Sequence, residues 1–332
     1  MASPGAVWSG ATEIQMEILD LRHFGSEDLR PLLDQEARVW SRLLAWDYSS
    51  SSEMILRYVD AKILPGYAAI EDKRIRGYSF FVYEQSKGVI GDLFVAPPNT
   101  NGAGHRLEDS LLLHVIETLQ QSPGIHRIEA QLLIHNSDTV ARPFLDGGFR
   151  RFPRLFMLLP VRGEDAPPIP PISLPATLEL RKWTEQDFQA AAGIITAAYR
   201  GHVDAEINDQ YRSHSGSLRF LNNIVRFPGC GIFDPESSFV AVHRLTRAVV
   251  GLILCSRVRS DVGHVTQVCV VPEYRGKQVG AALMIAAVNA LKRHNFAALS
   301  LTVTEANTRA VDLYKQLGFS IKRVFDAFVW EG

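Results

Sequence analysis

The sequence predicts an α/β protein, of the α+β mixed-sheet kind, made of two tandem units that each hold a central sheet flanked by helices. Three observations carry this prediction: a proline-rich stretch near the middle, matching landmarks on either side of it, and alternating strand-like and helix-like runs. The 332 residues also exceed one typical core and suit two domains of roughly 150 residues each.

The overall composition is that of a globular protein without a strong electrostatic bias. Apolar residues make up 46% of the chain and charged residues 21%. The 35 Lys and Arg residues nearly cancel the 36 Asp and Glu residues, so no nucleic-acid partner is expected.

The cysteines and the N-terminus favour a cytoplasmic setting. Cys230, Cys255 and Cys269 lie far apart, and the last two stand in apolar runs typical of buried strands. The N-terminus lacks the basic and apolar regions of a signal peptide. The most apolar helical stretch, 279–291, is too short to span a bilayer. We therefore expect neither a membrane partner nor, given the weak ligand spacing, a metal site.

A proline-rich stretch divides the chain almost in half. Residues 160–175 hold six of the 17 prolines, which excludes a helix or a central strand there and favours an extended linker. We predict a degenerate N-terminal domain over 14–160, a linker over 161–176, and a catalytic C-terminal domain over 177–332.

The two halves share landmarks in the same order, which indicates an internal repeat. The matches are an N-cap motif before a helix, a strand–turn–strand unit, a strand that ends at proline, and a helix that ends at Gly-Phe. The paired segments are 21–29 with 180–188, 66–82 with 238–256, 91–98 with 266–273, and 144–149 with 314–319.

The segment VVPEYRGKQVGAALM, residues 270–284, predicts a strand, a turn and a helix. Pro272 stops the apolar strand, Arg275 and Gly276 open the turn, and the helical pattern begins near Gly280. A helix N-terminus after such a turn offers unpaired amides and a positive dipole to an anion such as phosphate. An ordinary tight turn explains the pattern equally well on this segment alone.

A second segment, TEANTRAVDLYKQLGF at 304–319, predicts a capped helix followed by a strand. Asn307 is a suitable N-cap, and Gly318 is suited to end the helix. Tyr314 lies on the apolar face, so periodicity alone favours a core tyrosine over a catalytic one.

The two segments together resemble the GNAT superfamily of N-acetyltransferases. Its acyl-CoA loop, (Gln/Arg)-x-x-Gly-x-(Gly/Ala), corresponds here to residues 275–280, and its later helix carries the Asn-x-x-Ala and Leu-Tyr-x-x-x-Gly-Phe motifs. Gln278 replaces the first glycine of the loop. If that position needs a positive φ, the replacement costs roughly 1–2 kcal/mol without abolishing the site.

The resemblance implies acetyl-CoA as co-substrate and gives each motif a role. Loop amides would hold the pyrophosphate, the strand end would pair with the pantetheine arm, and one strand amide would polarise the thioester carbonyl. Tyr314 would protonate the leaving thiolate, and Asn307 would support pantetheine or the helix start. The implied acetyl-CoA-binding residues are Cys269, Val270, Val271, Arg275, Gly276, Lys277, Gln278, Val279, Gly280, Ala281 and Asn307.

The general base is left open by the sequence. His264 stands at a strand start, Glu305 precedes the helix cap, and a polar stretch at 201–216 is expected to form an acceptor-side loop. That stretch contains Asp204 and Asp209 as further candidates. A base that acts through water is an equal alternative.

The N-terminal copy lacks the chemical features of the second copy. Gly102 and Gly104 remain in its loop, but no arginine opens it, and Phe144 stands opposite Tyr314. Because phenylalanine cannot donate a proton, this half is predicted to be non-catalytic. The layout is similar to the tandem mycothiol synthase family, whose C-terminal half is the active one.

The resemblance predicts an acetyl-CoA-dependent N-acetyltransferase that acts on a primary amine, either a small molecule or a peptide. The alternative is a non-catalytic acyl-CoA-binding or interaction protein with two scaffold copies. The identity of the amine, the preferred acyl chain, CoA binding by the N-terminal half and a homodimer all remain open.

Overall fold

A computed structural model describes residues 16–71, 73–97, 104–226 and 231–332. The strands are β1 (Met16–Asp20), β2 (Gly66–Glu71), β3 (Arg74–Glu84), β4 (Lys87–Val95), β5 (Arg127–Gln131), β6 (Arg150–Pro160), β7 (Leu178–Lys182), β8 (Ile232–Phe233), β9 (Phe239–His243), β10 (Val249–Arg259), β11 (Val262–Val270), β12 (Ala298–Thr304) and β13 (Ser320–Glu331). The helices are α1 (Ser26–Leu44), α2 (Ser49–Asp60), α3 (Gly104–Gln121), α4 (Ala141–Asp146), α5 (Phe188–Ala198), α6 (Asp204–Ile207), α7 (His214–Arg226), α8 (Val279–Arg293) and α9 (Thr308–Gln316).

The predicted fold class is confirmed: the strands form one mixed sheet with helices packed against it. The order along the sheet is β1-β2-β3-β4-β5-β13-β6-β12-β11-β10-β9-β7, and β8 pairs with β10. The pairs β4–β5 and β11–β12 are parallel, and the other neighbours are antiparallel. Each half therefore contains one parallel pair inside an antiparallel frame.

The two halves exchange their last strands. β13, the final strand of the chain, pairs with β5 of the first half on one side and with β6 on the other. β6, the final strand of the first half, pairs in turn with β12 of the second half. The sheet is thus continuous across the two halves, while the sequence limits of the two domains stay a prediction.

The proline-rich linker is extended and packs on the second half. Residues 161–177 contain neither helix nor strand, and Ile169 and Leu174 contact the apolar core beneath α8. Pro167 lies against Gly318, where an added Cβ would meet Pro167 Cγ at 2.4 Å. The contact and the positive φ of 94° at Gly318 both require glycine there.

Local sequence signals for the second half are confirmed. Helix α9 is capped by Asn307, whose Oδ1 accepts a hydrogen bond from Ala310 N at 3.4 Å.

Cys255 and Cys269 are buried free thiols. Cys230 and Gly102 lie outside the described residues. Within the described ranges, no helix is long and apolar enough to cross a membrane.

Candidate active site

A cleft opens where the parallel strands β11 and β12 separate. Their ladder runs from the Val262–Ala298 pair to the Val265–Leu301 pair and then ends. Beyond this point β11 stays paired with β10 as far as Val270, whereas β12 continues beside β6. After Val265, the edge of β11 that faces β12 is therefore left open.

The strand amides at this edge differ in their availability. Val271 N donates to Val250 O at 3.0 Å, so its N–H is used in pairing with β10. Because successive amides of a strand point to opposite sides, the N–H of Val270 faces the open edge. Of Cys269, Val270 and Val271, it is therefore Val270 that can donate to a ligand in the cleft.

The loop after β11 leads into α8 with its first amides free of side-chain caps. Gln278 is the N-cap residue and has φ 60° and ψ 8°, the left-handed conformation. The Gln278 side chain makes no cap hydrogen bond, and the amides of Val279, Gly280 and Ala281 have no intrahelical acceptor. The helix dipole and these N–H groups make the end of α8 suited to an anion.

Cationic side chains lie near this loop, but their identities and partners differ from those that the sequence suggests. The Arg275 guanidinium donates to the carbonyls of Ala198, at the end of α5, and of Val270, the latter at 3.4 Å. Arg309 was missed in the sequence: its Nη2 would lie 3.2 Å from a Cβ built on Gly276. Lys277 Nζ lies 5.0 Å from the ring centroid of Tyr274.

The left-handed Gln278 leads to a stability prediction. Gln278→Gly should raise the free energy of unfolding by up to about 1 kcal/mol, because glycine adopts this conformation without Cβ strain. The lost bond from Ser173 N to Gln278 Oε1, at 3.3 Å and exposed, should offset little of this. Denaturant unfolding checks the value, and a clear loss of stability would contradict the strain argument.

Tyr314 lies on α9 and is buried, with only 7% of its surface exposed. Its ring centroid lies 5.9 Å from that of Phe319. Burial raises the pKa of Tyr314 far above its ordinary value, and the nearby Asp204 and Cys269 add to the effect. The phenol therefore stays protonated at neutral pH. Burial likewise raises the pKa of the Cys269 thiol to about 12, so this thiol is not a nucleophile.

Asp204 is the candidate base that lies at the end of β12, and its charge contributes to the raised pKa of Tyr314. Its Oδ1 accepts a hydrogen bond from Thr304 Oγ1, at the end of β12. Its Oδ2 lies 3.5 Å from His202 Nδ1, and the carboxylate side chain is 14% exposed. A carboxylate is thus held at the end of the strand that borders the cleft.

The other candidate bases lie elsewhere. His264 is buried, with Nδ1 2.9 Å from Ser300 Oγ and its ring 4.8 Å from that of Trp46. Burial lowers the pKa of His264 to about 3, so the ring is a neutral core group. Asp209 forms an ion pair with Lys87 at 2.6 Å, and Glu305 is exposed.

Gln267 is a polar residue of the site that sequence reasoning missed. It is 4% exposed, its Oε1 accepts from Tyr199 OH at 3.4 Å, and its Nε2 has no partner among the described residues. The Tyr199 ring stacks on Tyr211 at 4.4 Å. The only available signal was strand alternation, which places Gln267 on the same face as Cys269.

The matching position of the N-terminal half has no proton donor. Phe144 is fully buried and its ring stacks on Phe328 at 4.1 Å. Phe328 belongs to β13, the exchanged strand. The aromatic ring at this position therefore packs in the core where the second half has a phenol.

Comparison with known proteins agrees with the resemblance that the sequence predicts. Residues 196–319 match the model of the acetyltransferase (GNAT) family. A mycothiol acetyltransferase of Acidimicrobium ferrooxidans is 25% identical over 83% of this chain and 85% of its own. A mycothiol acetyltransferase of Thermobifida fusca is 26% identical over 80% of this chain and 79% of its own.

Solved structures share the fold over nearly the whole length. A GCN5-related N-acetyltransferase from Sphaerobacter thermophilus covers 95% of both chains with a TM-score of 0.66 and 18% identity. A tandem GNAT protein from the clavulanic acid biosynthesis pathway covers 96% of this chain and 98% of its own, with a TM-score of 0.55 and 15% identity. Residues 196–319 are therefore similar to the GNAT acetyltransferase family, and the chain as a whole has the tandem GNAT fold.

Proposed function

We propose that the protein transfers an acetyl group from acetyl-CoA to a primary amine, and that the cleft between β11 and β12 is the reaction site. One observation carries this proposal. The second half has a buried, protonated Tyr314 and a carboxylate, Asp204, held at the end of β12, and the matching residue of the first half, Phe144, has no hydroxyl.

The residues at the cleft suit the two ends of acetyl-CoA. The uncapped end of α8 suits the pyrophosphate, and Arg309 and Lys277 add positive charge near the loop. Val270 supplies an amide on the open edge, where it pairs with pantetheine or polarises the thioester carbonyl. Arg275 fixes the loop to α5 through backbone carbonyls, so its role is to position the amides.

The acid–base groups suit direct attack by an amine. Asp204 accepts a proton from the ammonium group, directly or through a water molecule, and the neutral amine attacks the thioester carbonyl. The bond to sulfur then breaks, and Tyr314 gives its proton to the leaving thiolate.

The acceptor is proposed as a polar primary amine. The names of the curated relatives make an amine of the mycothiol type the first acceptor to test. Gln267 Nε2 can donate a hydrogen bond to a polar group next to the amine, and the Tyr199 oxygen, whose proton is directed to Gln267 Oε1, can accept one.

Two measurements test this function. Calorimetric titration should show acetyl-CoA binding to the intact protein, and thiol release should rise when a suitable amine is added. The amine panel should include mycothiol-type amines, small diamines and peptide N-termini. Binding without turnover on any amine would favour the non-catalytic acyl-CoA-binding alternative. Absence of acetyl-CoA binding would contradict both.

A further inference from the structure

A cluster of buried charges joins the N-terminal half to the second half beside the cleft. Lys87 of β4 and Arg127 and Glu129 of β5 are buried in the first half. Lys87 Nζ lies 3.1 Å from Glu129 Oε2 and 2.6 Å from Asp209 Oδ1, and Arg127 Nε lies 2.6 Å from Glu129 Oε1. We call Lys87, Arg127, Glu129 and Asp209 the buried charge cluster.

The cluster holds the backbone as well as the side chains of residues 204–212, here called the acceptor segment. Glu129 Oε1 accepts from Asp209 N at 3.2 Å, and Arg127 Nη2 donates to Glu206 O. Arg150 of β6 adds an ion pair with Glu206 at 2.6 Å. The first half thus fixes a segment that belongs to the sequence of the second half.

The acceptor segment carries two side chains of the candidate site. Asp204 at its start bonds with Thr304, and Tyr211 near its end stacks on Tyr199. A short helix of four residues, α6, and a single turn connect them. The contacts from the first half add to those that Thr304, Tyr199 and α7 make with the segment.

We infer that the buried charge cluster positions Asp204 and Tyr211 for the amine acceptor, so the N-terminal half acts in the reaction through the acceptor segment. This inference rests on the proposed function. Lys87 and Arg127 are positioning residues because they touch the segment and not the cleft. Burial alone would lower the pKa of Lys87, but Glu129 and Asp209 raise it above its ordinary value, so Lys87 remains charged.

The test compares Lys87→Met, which removes the charge and keeps the chain length, with Lys87→Arg, which keeps the charge. Lys87→Met should lower kcat/KM for the acceptor about tenfold or more, since small displacements near a reacting centre have large effects on rate. The Kd for acetyl-CoA should change less than about twofold, because the cluster touches neither the loop nor α8. Lys87→Arg should recover most of the acceptor kcat/KM.

The matched control is Arg151→Met, which breaks another ion pair between the halves, one in which only the carboxylate is buried. Arg151 Nε of β6 lies 3.0 Å from Asp326 Oδ1 of β13, and Asp326 is buried. This variant should lose stability but keep its acceptor kcat/KM. An equal loss of acceptor kcat/KM in Arg151→Met and Lys87→Met would overturn the inference, as would normal acceptor kinetics in folded Lys87→Met.

A second readout does not depend on turnover. Hydrogen exchange of backbone amides in 204–212 should be at least about tenfold faster in Lys87→Met than in wild type or Arg151→Met, because the restraint is local. Unchanged exchange would overturn the positioning role even if no acceptor is found. If Lys87→Met does not fold, Asp209→Asn, at a carboxylate 34% exposed, replaces it with the same expected results.

Discussion

Tyr314→Phe should lower kcat by about 10²-fold or more, because the leaving thiolate loses its proton donor. The Kd for acetyl-CoA should stay within about twofold, since ground-state binding does not use that proton. The ring and nearly all of its packing remain, so the free energy of unfolding should fall by no more than about 1 kcal/mol. Thiol release with a good acceptor measures the rate, and titration measures the affinity.

Tyr274→Phe is the matched control for this change. Tyr274 precedes Arg275, and its ring contact with Lys277 does not need the hydroxyl. Its kcat should equal that of the wild type. Equal rates for Tyr314→Phe and wild type, at pH values below and above 8, would remove Tyr314 from the mechanism.

Gly280→Asp should weaken acetyl-CoA binding about 10²-fold, because a carboxylate in the first turn of α8 opposes the pyrophosphate and fills its approach. A Cβ at Gly280 would meet Leu313 Cδ2 at 3.8 Å and Val270 Cγ2 at 3.9 Å, which are ordinary contacts. The free protein should therefore fold normally, and calorimetric titration can report the loss of affinity alone.

Two further variants serve as controls. One adds volume at Gly280 without a charge, and the other places the charge in the first half. Gly280→Ala adds only the Cβ, so its free protein should be at least as stable as the wild type. Gly104→Asp places the same charge at the start of α3 in the first half and should leave affinity unchanged. If acetyl-CoA affinity survived Gly280→Asp but fell in Gly104→Asp, the assignment of the two halves would be reversed.

Local sequence signals predicted the elements of the second half well. Pro272, the helical pattern from Gly280, the Asn307 cap and the Gly318 stop all act within a few residues, and the structure confirms each of them. For the loop before α8, the sequence left open the sign of φ at Gln278. The structure shows that φ is positive there.

Contacts between distant segments could not be predicted in the same way. Arg309 approaches Gly276, Thr304 bonds with Asp204, and Lys87 pairs with Asp209, but no periodicity links such positions. The roles of His264 and Asp209 were left open for the same reason, because only the fold shows what surrounds each ring or carboxylate. The exchange of β6 and β13 also has no local signature, since either strand could complete either half.

That exchange has a consequence for synthesis of the chain. The first half leaves the ribosome with β5 unpaired on one side, because its neighbour β13 lies far later in the sequence. Both edges of β6 are likewise covered only when β12 and β13 have been made. The final sheet therefore has high contact order and closes only after β13 has been made, and until then exposed edges are open to wrong pairing. Neither half completes its part of the sheet from its own sequence.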